Sequence, residues 1–215
     1  MSLPTPTYTH MKDEDFLQVY EPAEDTFLMI DSLEADYSFI KSRRPCICLE
    51  VGPGSGVVLT FLASIVGPSS YYLAVDINPH ATLCTKKTGE ENGVHIETVV
   101  DDMLSSMKTK LSNKVDLIVF NPPYVVTDSA EVGGNSISAS WAGGPRGREV
   151  IDRFIDLATS LLSSDGVLYL LLLEENDPEE VIELLGRDLF ESRVILRRKT
   201  GPERLVVIRF IRKSL

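Results

Sequence analysis

A chain of 215 residues, 43% hydrophobic and 25% charged, has ordinary globular composition and enough length for a sizeable core. Its formal net charge of -11 disfavours unaided binding to nucleic acid, because such affinity comes largely from Lys and Arg neutralising phosphates. The longest apolar run, Val167 to Leu173, is far too short to span a bilayer, so no membrane association is expected. The three cysteines are an odd count without C-x-x-C spacing. They read as reduced core thiols, with Cys46 and Cys48 on one strand face, and not as a metal or redox site.

Met1 to Tyr20 is a polar leader without the basic and apolar segments of a signal peptide, which points to the cytosol or nucleus. A single domain is expected from 21 to 215. It opens with a helix at Glu21 to Leu33, where Pro22 suits the first turn and Glu24 and Asp25 favour the positive end. Short apolar strands then alternate with helical segments. The strands are Cys46 to Leu49, Tyr71 to Val75, Ile96 to Val100, Val115 to Phe120 and Val167 to Leu173. The helices are Val57 to Ile65, Pro79 to Asn92, Gly147 to Leu162 and Pro178 to Arg187. Continuously apolar strands such as Leu117 to Phe120 belong where helices cover both sheet faces, so the pattern predicts an α/β, doubly wound, mostly parallel sheet. Ser192 to Leu196 and Leu205 to Ile211 flank a turn at Thr200-Gly201-Pro202 and predict a C-terminal antiparallel hairpin, bringing the sheet to seven strands.

Glu50-Val51-Gly52-Pro53-Gly54-Ser55-Gly56 follows the first strand and opens a helix, the place where a doubly wound fold binds a nucleotide-like ligand. The spacing is G-x-G-x-G, unlike the dinucleotide fingerprint. Glu50 would repel a pyrophosphate but attract the ammonium and sulfonium of S-adenosylmethionine. Asp76, twenty residues past Gly56, ends the second strand, where a carboxylate can accept from both ribose hydroxyls. The competing reading there is a cap for the helix starting at Asn78-Pro79. After the third strand comes Asp101-Asp102-Met103. A carboxylate here, Asp102 in preference to Asp101, can accept from the adenine amino group.

Asn121-Pro122-Pro123-Tyr124 closes the fourth strand beside that loop. Neither proline has an N–H, and each restricts the residue before it, so the segment is a stiff lip of acceptors suited to an NH2 donor. The Asn121 side-chain oxygen can take one hydrogen of a planar amide or aromatic amine and the Pro122 carbonyl the other. Placement then supplies most of the rate, without a dedicated base. Tyr124 can pack its ring against the flat acceptor group. The long stretch Val125 to Pro145 reads as functional or disordered. Within it Trp141 is equally well a core plug or a substrate contact; just after it, Arg146 and Arg148 read as solvated helix-start residues in preference to contacts with a partner.

Tyr20-Glu21-Pro22-Ala23-Glu24-Asp25-Thr26, the Glu50 loop, Asn121-Pro122-Pro123-Tyr124 and Trp141-Ala142-Gly143-Gly144 together resemble the HemK-type glutamine methyltransferases, in particular the short eukaryotic branch. The first and last of these motifs are the more specific. The resemblance implies a class I, Rossmann-like methyltransferase fold and transfer of methyl from S-adenosylmethionine to the glutamine amide in the Gly-Gly-Gln loop of the class I translation release factor. It implies that Thr26, Glu50, Gly52, Gly54, Gly56, Asp76, Asp102, Met103 and Asn121 surround the cofactor, and that Asn121, Pro122, Pro123 and Tyr124 meet the substrate. Pro53 departs from the Ser or Ala expected there. The branch is similar in using a small zinc-binding activator subunit, and a heterodimer through the edge strand Ile96 to Val100 is expected. The rival functions are methylation of an exocyclic base amine in DNA or RNA, methylation of histone lysine, and a catalytically silent binding subunit.

Overall fold

A computed structural model describes residues 3–134 and 137–213. The remaining parts of the leader, of the long loop and of the C-terminus lie outside the described residues. The helices are α1 (Glu24–Ala35), α2 (Tyr37–Arg43), α3 (Val57–Val66), α4 (Pro79–Glu91), α5 (Lys108–Leu111), α6 (Glu149–Leu161) and α7 (Pro178–Leu185). The strands are β1 (Ile47–Val51), β2 (Tyr71–Asp76), β3 (Ile96–Val100), β4 (Val115–Phe120), β5 (Leu162–Leu173), β6 (Phe190–Thr200) and β7 (Glu203–Arg212). Among the described residues these strands form one sheet of order β3-β2-β1-β4-β5-β7-β6. The first five are parallel, and β7 runs antiparallel between β5 and β6.

The expected doubly wound layout is present, and its centre is apolar for the reason given by the sequence. Leu49, Leu117, Ile118, Val119 and the run from Val167 to Leu172 are buried between helix layers. Several boundaries differ. The first helix starts at Glu24 because Ala23 is extended (φ -129°, ψ -167°), leaving Pro22 outside it. The Thr26 hydroxyl accepts the Ala23 N–H at 3.3 Å and closes that first turn. Strand β1 extends through Glu50 and Val51, and β5 begins at Leu162, five residues before its continuous apolar run. The short helix α2 follows α1 after Asp36 alone and has too few turns to show a period.

Two other readings are corrected. Cys46 precedes β1 and is exposed while Cys48 is buried, so they do not share a buried face. Arg148 is not solvated: it is buried and donates to Asp152 at 2.6 Å and to the Asn176 carbonyl at 2.9 Å. The N-terminal segment, polar in composition, packs along α4. Met11 and Val19 cluster with Ala81, and Asn92 exchanges hydrogen bonds with the Thr7 backbone at 2.9 and 2.8 Å.

Candidate active site

Strand order reverses between β1 and β4, so the sheet opens a crevice at their carboxyl ends. Val51 pairs with Phe120 there, which sets Gly52 beside Asn121 at the head of two neighbouring strands. The glycine loop turns tightly into α3. Gly56 sits at φ +78°, and a Cβ on it would lie 2.6 Å from the Thr85 Cα. Only glycine tolerates both the left-handed backbone and that approach of α4.

A cavity of about 280 Å³ runs from this loop to the lip. Thr26, Glu50, Gly52, Gly54, Asp76, Asp102, Met103, Asn121 and Pro123 all line it. Gly56, Pro122 and Tyr124 are not among its lining residues, and Gln18, Val19, Tyr20 and Arg153 are additional wall residues. Asp76 is tied down at the end of β2, accepting from the Asn78 N–H at 2.8 Å and the Gly54 N–H at 3.4 Å. Asn78 itself, not Asp76, caps α4 by accepting the His80 N–H at 2.9 Å. Asp101 is engaged by the Ser105 and Ser106 hydroxyls, both at 2.6 Å, whereas Asp102 pairs with Arg153 at 2.6 Å. Met103 and Leu104 follow in left-handed conformation, at φ 51° and 61°.

Glu50 is 2% exposed and accepts the Leu59 N–H at 2.9 Å, capping the first turn of α3. Its desolvation pushes the carboxyl well above the usual glutamate range, and the Asp76 carboxylate adds to this, against the opposing Leu59 hydrogen bond. Among the described residues no cation pairs with it. A buried acid facing a glycine loop, beside an anchored Asp76, fits a ligand that brings its own positive charge, and S-adenosylmethionine does so. When bound, that cofactor supplies an electrophilic methyl group.

A pH dependence follows. Because the folded pKa is raised, the stability that Glu50 contributes is fully present below the ordinary glutamate pKa and is lost as pH rises through the folded value. A cationic ligand favours the ionised form. Cofactor affinity is therefore expected to increase with pH up to the raised value, and binding in that window to release a proton. Titration calorimetry in two buffers of different ionisation enthalpy measures this release, and Glu50→Gln should abolish it. A heat independent of buffer in the native protein would contradict the coupling.

The acceptor side is organised by Asp25, which the sequence suggested only as a favourable charge at a helix start. Asp25 is buried and gathers donors from four residues. Asn121 Nδ2 and the Tyr124 hydroxyl reach Oδ2 at 2.9 and 3.2 Å, while the Thr26 N–H and the Tyr20 hydroxyl reach Oδ1 at 2.7 and 3.5 Å. Burial and the Asp25 carboxylate raise the pKa of both phenols, Tyr20 to about 12. Both stay protonated and act as donors. A carboxylate only accepts, so it fixes the Asn121 amide with NH2 inward and Oδ1 the other way. That Oδ1 is buried and has no hydrogen-bond partner among the described residues. Tyr124 is buried at the back of the lip, so its role is to hold Asp25 and not to offer an open ring face. The signal for Asp25 in the sequence is its motif, Glu-Pro-Ala-Glu-Asp-Thr, which carries no chemistry until the fold brings it to β4.

The long loop after Tyr124 is folded back along the lip. The Val125 N–H donates to the Trp141 carbonyl at 2.9 Å, and the Gly143 N–H to the Val125 carbonyl at 2.9 Å. Trp141 is 37% exposed and does not plug the core.

The methyltransferase small domain family matches residues 26–138. The chain is similar to methyltransferase HEMK2 of Mus musculus, at 49% identity over 209 residues covering 97% of each protein. It is similar to the eRF1 methyltransferase catalytic subunit mtq2 of Schizosaccharomyces pombe, at 33% identity over 98% of this chain and 96% of that one. Among solved structures it is similar to a chain in the E. cuniculi Mtq2–Trm112 complex responsible for methylation of the eRF1 translation termination factor. That match has a TM-score of 0.69 and 31% identity, covering 92% of this chain and 99% of the other. With a cavity suited to a cationic nucleoside, an acceptor lip at the switch point and relatives of this identity, the chain belongs to the eukaryotic HemK-type glutamine methyltransferases, enzymes that use S-adenosylmethionine.

Proposed function

We propose that this chain methylates the side-chain amide nitrogen of the glutamine in the Gly-Gly-Gln motif of the class I translation release factor, as the catalytic subunit of a heterodimer. The observation that carries the reading is the Asn121 amide, whose Oδ1 is buried, without a hydrogen-bond partner among the described residues, and oriented by Asp25. A primary amide NH2 satisfies such an acceptor, and holding its hydrogens aims the nitrogen toward the cofactor side of the cavity. The choice of the release factor is supported by the eRF1 methyltransferase relatives. The test is incubation of the heterodimer with labelled S-adenosylmethionine and either the release factor or its Gln→Ala form. Label is expected only on the glutamine form. Equal labelling of both, or labelling of nucleic acid alone, would sink the reading.

The partner is the small zinc-binding activator, and its docking site is the edge strand β3. Edge position, an outer side unpaired among the described residues and exposed apolar side chains support this: Val100 is 55% exposed, and Ile77 in the turn after β2 and Leu83 on α4 are exposed as well. Val100→Lys is expected to weaken association about 10-fold or more, as for a central apolar contact. Copurification and titration calorimetry measure it, and unchanged affinity would place the interface elsewhere.

A further inference from the structure

Behind the acceptor lip lies a clasp that no sequence motif announces. Asn176 is fully buried, at the end of the turn Glu174–Asn176. Its Nδ2 donates to the Tyr124 carbonyl at 2.9 Å and to the Arg146 carbonyl at 2.9 Å, while its Oδ1 accepts the Leu173 N–H at 2.7 Å. Its own carbonyl receives Arg148 Nη1 at 2.9 Å. One side chain thus joins the end of β5, the end of Asn-Pro-Pro-Tyr and the segment after the Trp-Ala-Gly-Gly loop. Two donors and an acceptor in one small planar group are available only from asparagine; glutamine is a methylene too long.

Two glycines press the same segment against the lip. A Cβ on Gly147 would stand 1.9 Å from the Tyr124 carbonyl oxygen, and one on Gly143 would stand 2.6 Å from that of Pro123. Gly147 also has φ +64°. Pro122 and Pro123 each have φ fixed by the ring, so the backbone from Asn121 to Tyr124 has few soft torsions. Pinning its far end at Tyr124 therefore sets its near end at Asn121.

The geometry points to Asn176 as a positioning residue for methyl transfer: through the Tyr124 carbonyl it holds the lip so that Asn121 Oδ1 meets the acceptor amide. The inference rests on the acceptor role proposed for the lip. It accounts for the Trp-Ala-Gly-Gly region as a backing for the site and not as part of its lining.

Asn176→Asp tests it in the heterodimer. The substitution keeps the acceptor for Leu173 and removes both donors. Turnover is measured per S-adenosylmethionine binding site, counted by titration calorimetry, so that any unfolded fraction drops out. Cofactor affinity is expected to stay within about twofold while turnover per site falls about 10-fold or more, since displacement near 1 Å can cost about 100-fold. Turnover should partly recover as pH is lowered, because the protonated carboxyl regains one donor. Should that variant not fold, Asn176→Ser and Gly143→Ala carry the test, with the same split between turnover and cofactor affinity expected. Turnover per site equal to wild type, or turnover and affinity falling in parallel, would reduce Asn176 to a structural residue and overturn the inference. Wild-type heterodimer run alongside separates the two claims: if it leaves the release factor unlabelled, the functional reading fails, whereas an unaffected variant beside an active wild type defeats the clasp.

Discussion

The Asn121→Ala variant is expected to bind S-adenosylmethionine within a few-fold of wild type and to turn over about 100- to 1000-fold more slowly, the range found when one preorganised polar group is removed from a reacting centre. Asn121 lines the cavity after β4, whereas Glu50, Asp76 and Asp102, among its acidic lining residues, lie on β1, on β2 and in the turn after β3 and are untouched by the change. What is lost is a rigid acceptor. Asn121 Oδ1 is buried without a partner among the described residues, so it reaches its best hydrogen bonding when an NH2 donor enters. The contribution is made to placement and to polarisation of the amide nitrogen, so it falls on turnover and not on cofactor binding. Single-turnover rates and cofactor titration distinguish these, and unchanged turnover would reject the role.

Asp25→Ala should be the next most damaging change, and it should harm both activity and stability. The carboxylate accepts from Asn121, Tyr124, Thr26 and Tyr20, and its removal leaves buried donors without a partner. Each such donor costs about 1–3 kcal/mol where water cannot reach it. Turnover is expected to fall about 10- to 100-fold, since the Asn121 amide is then free to rotate and present NH2 to the substrate. Asp25→Asn separates the two effects. It preserves the volume and retains an oxygen acceptor, so thermal stability should be closer to wild type, while its NH2 opposes that of Asn121 and turnover remains low. Wild-type turnover in a folded Asp25→Asn variant would show that the orientation of Asn121 does not depend on the carboxylate.

Much of the cofactor side was legible because its signals are local. A strand tip, a glycine loop and a helix start are contiguous from Glu50 to Val57, and Asp76 stands at the end of the next strand, so period and spacing suffice to bring them together in a doubly wound sheet. The lip was legible for the same reason, as Asn-Pro-Pro-Tyr carries its own stiffness. Boundaries were less so. Strand β5 begins at Leu162 although Ser163 to Asp165 are polar, because Val115 pairs with Leu162 across a register shift that apolar patterning does not record. Arg148, read as a solvated residue at a helix start, is buried because Asp152, Asn176 and Glu180 converge on it from two helices and a turn.

The sequence by itself determined the sheet, the position of the glycine loop and the kind of acceptor displayed after β4, all properties of segments a few residues long. The tertiary structure alone decided what aims that acceptor. Asp25 reaches Asn121 across 96 residues of chain, and Asn176 reaches Tyr124 across 52. The physical reason is that a hydrogen bond between distant side chains leaves no periodicity and no composition bias. It exists only once the packed core has brought α1, β4 and the end of β5 to the same point.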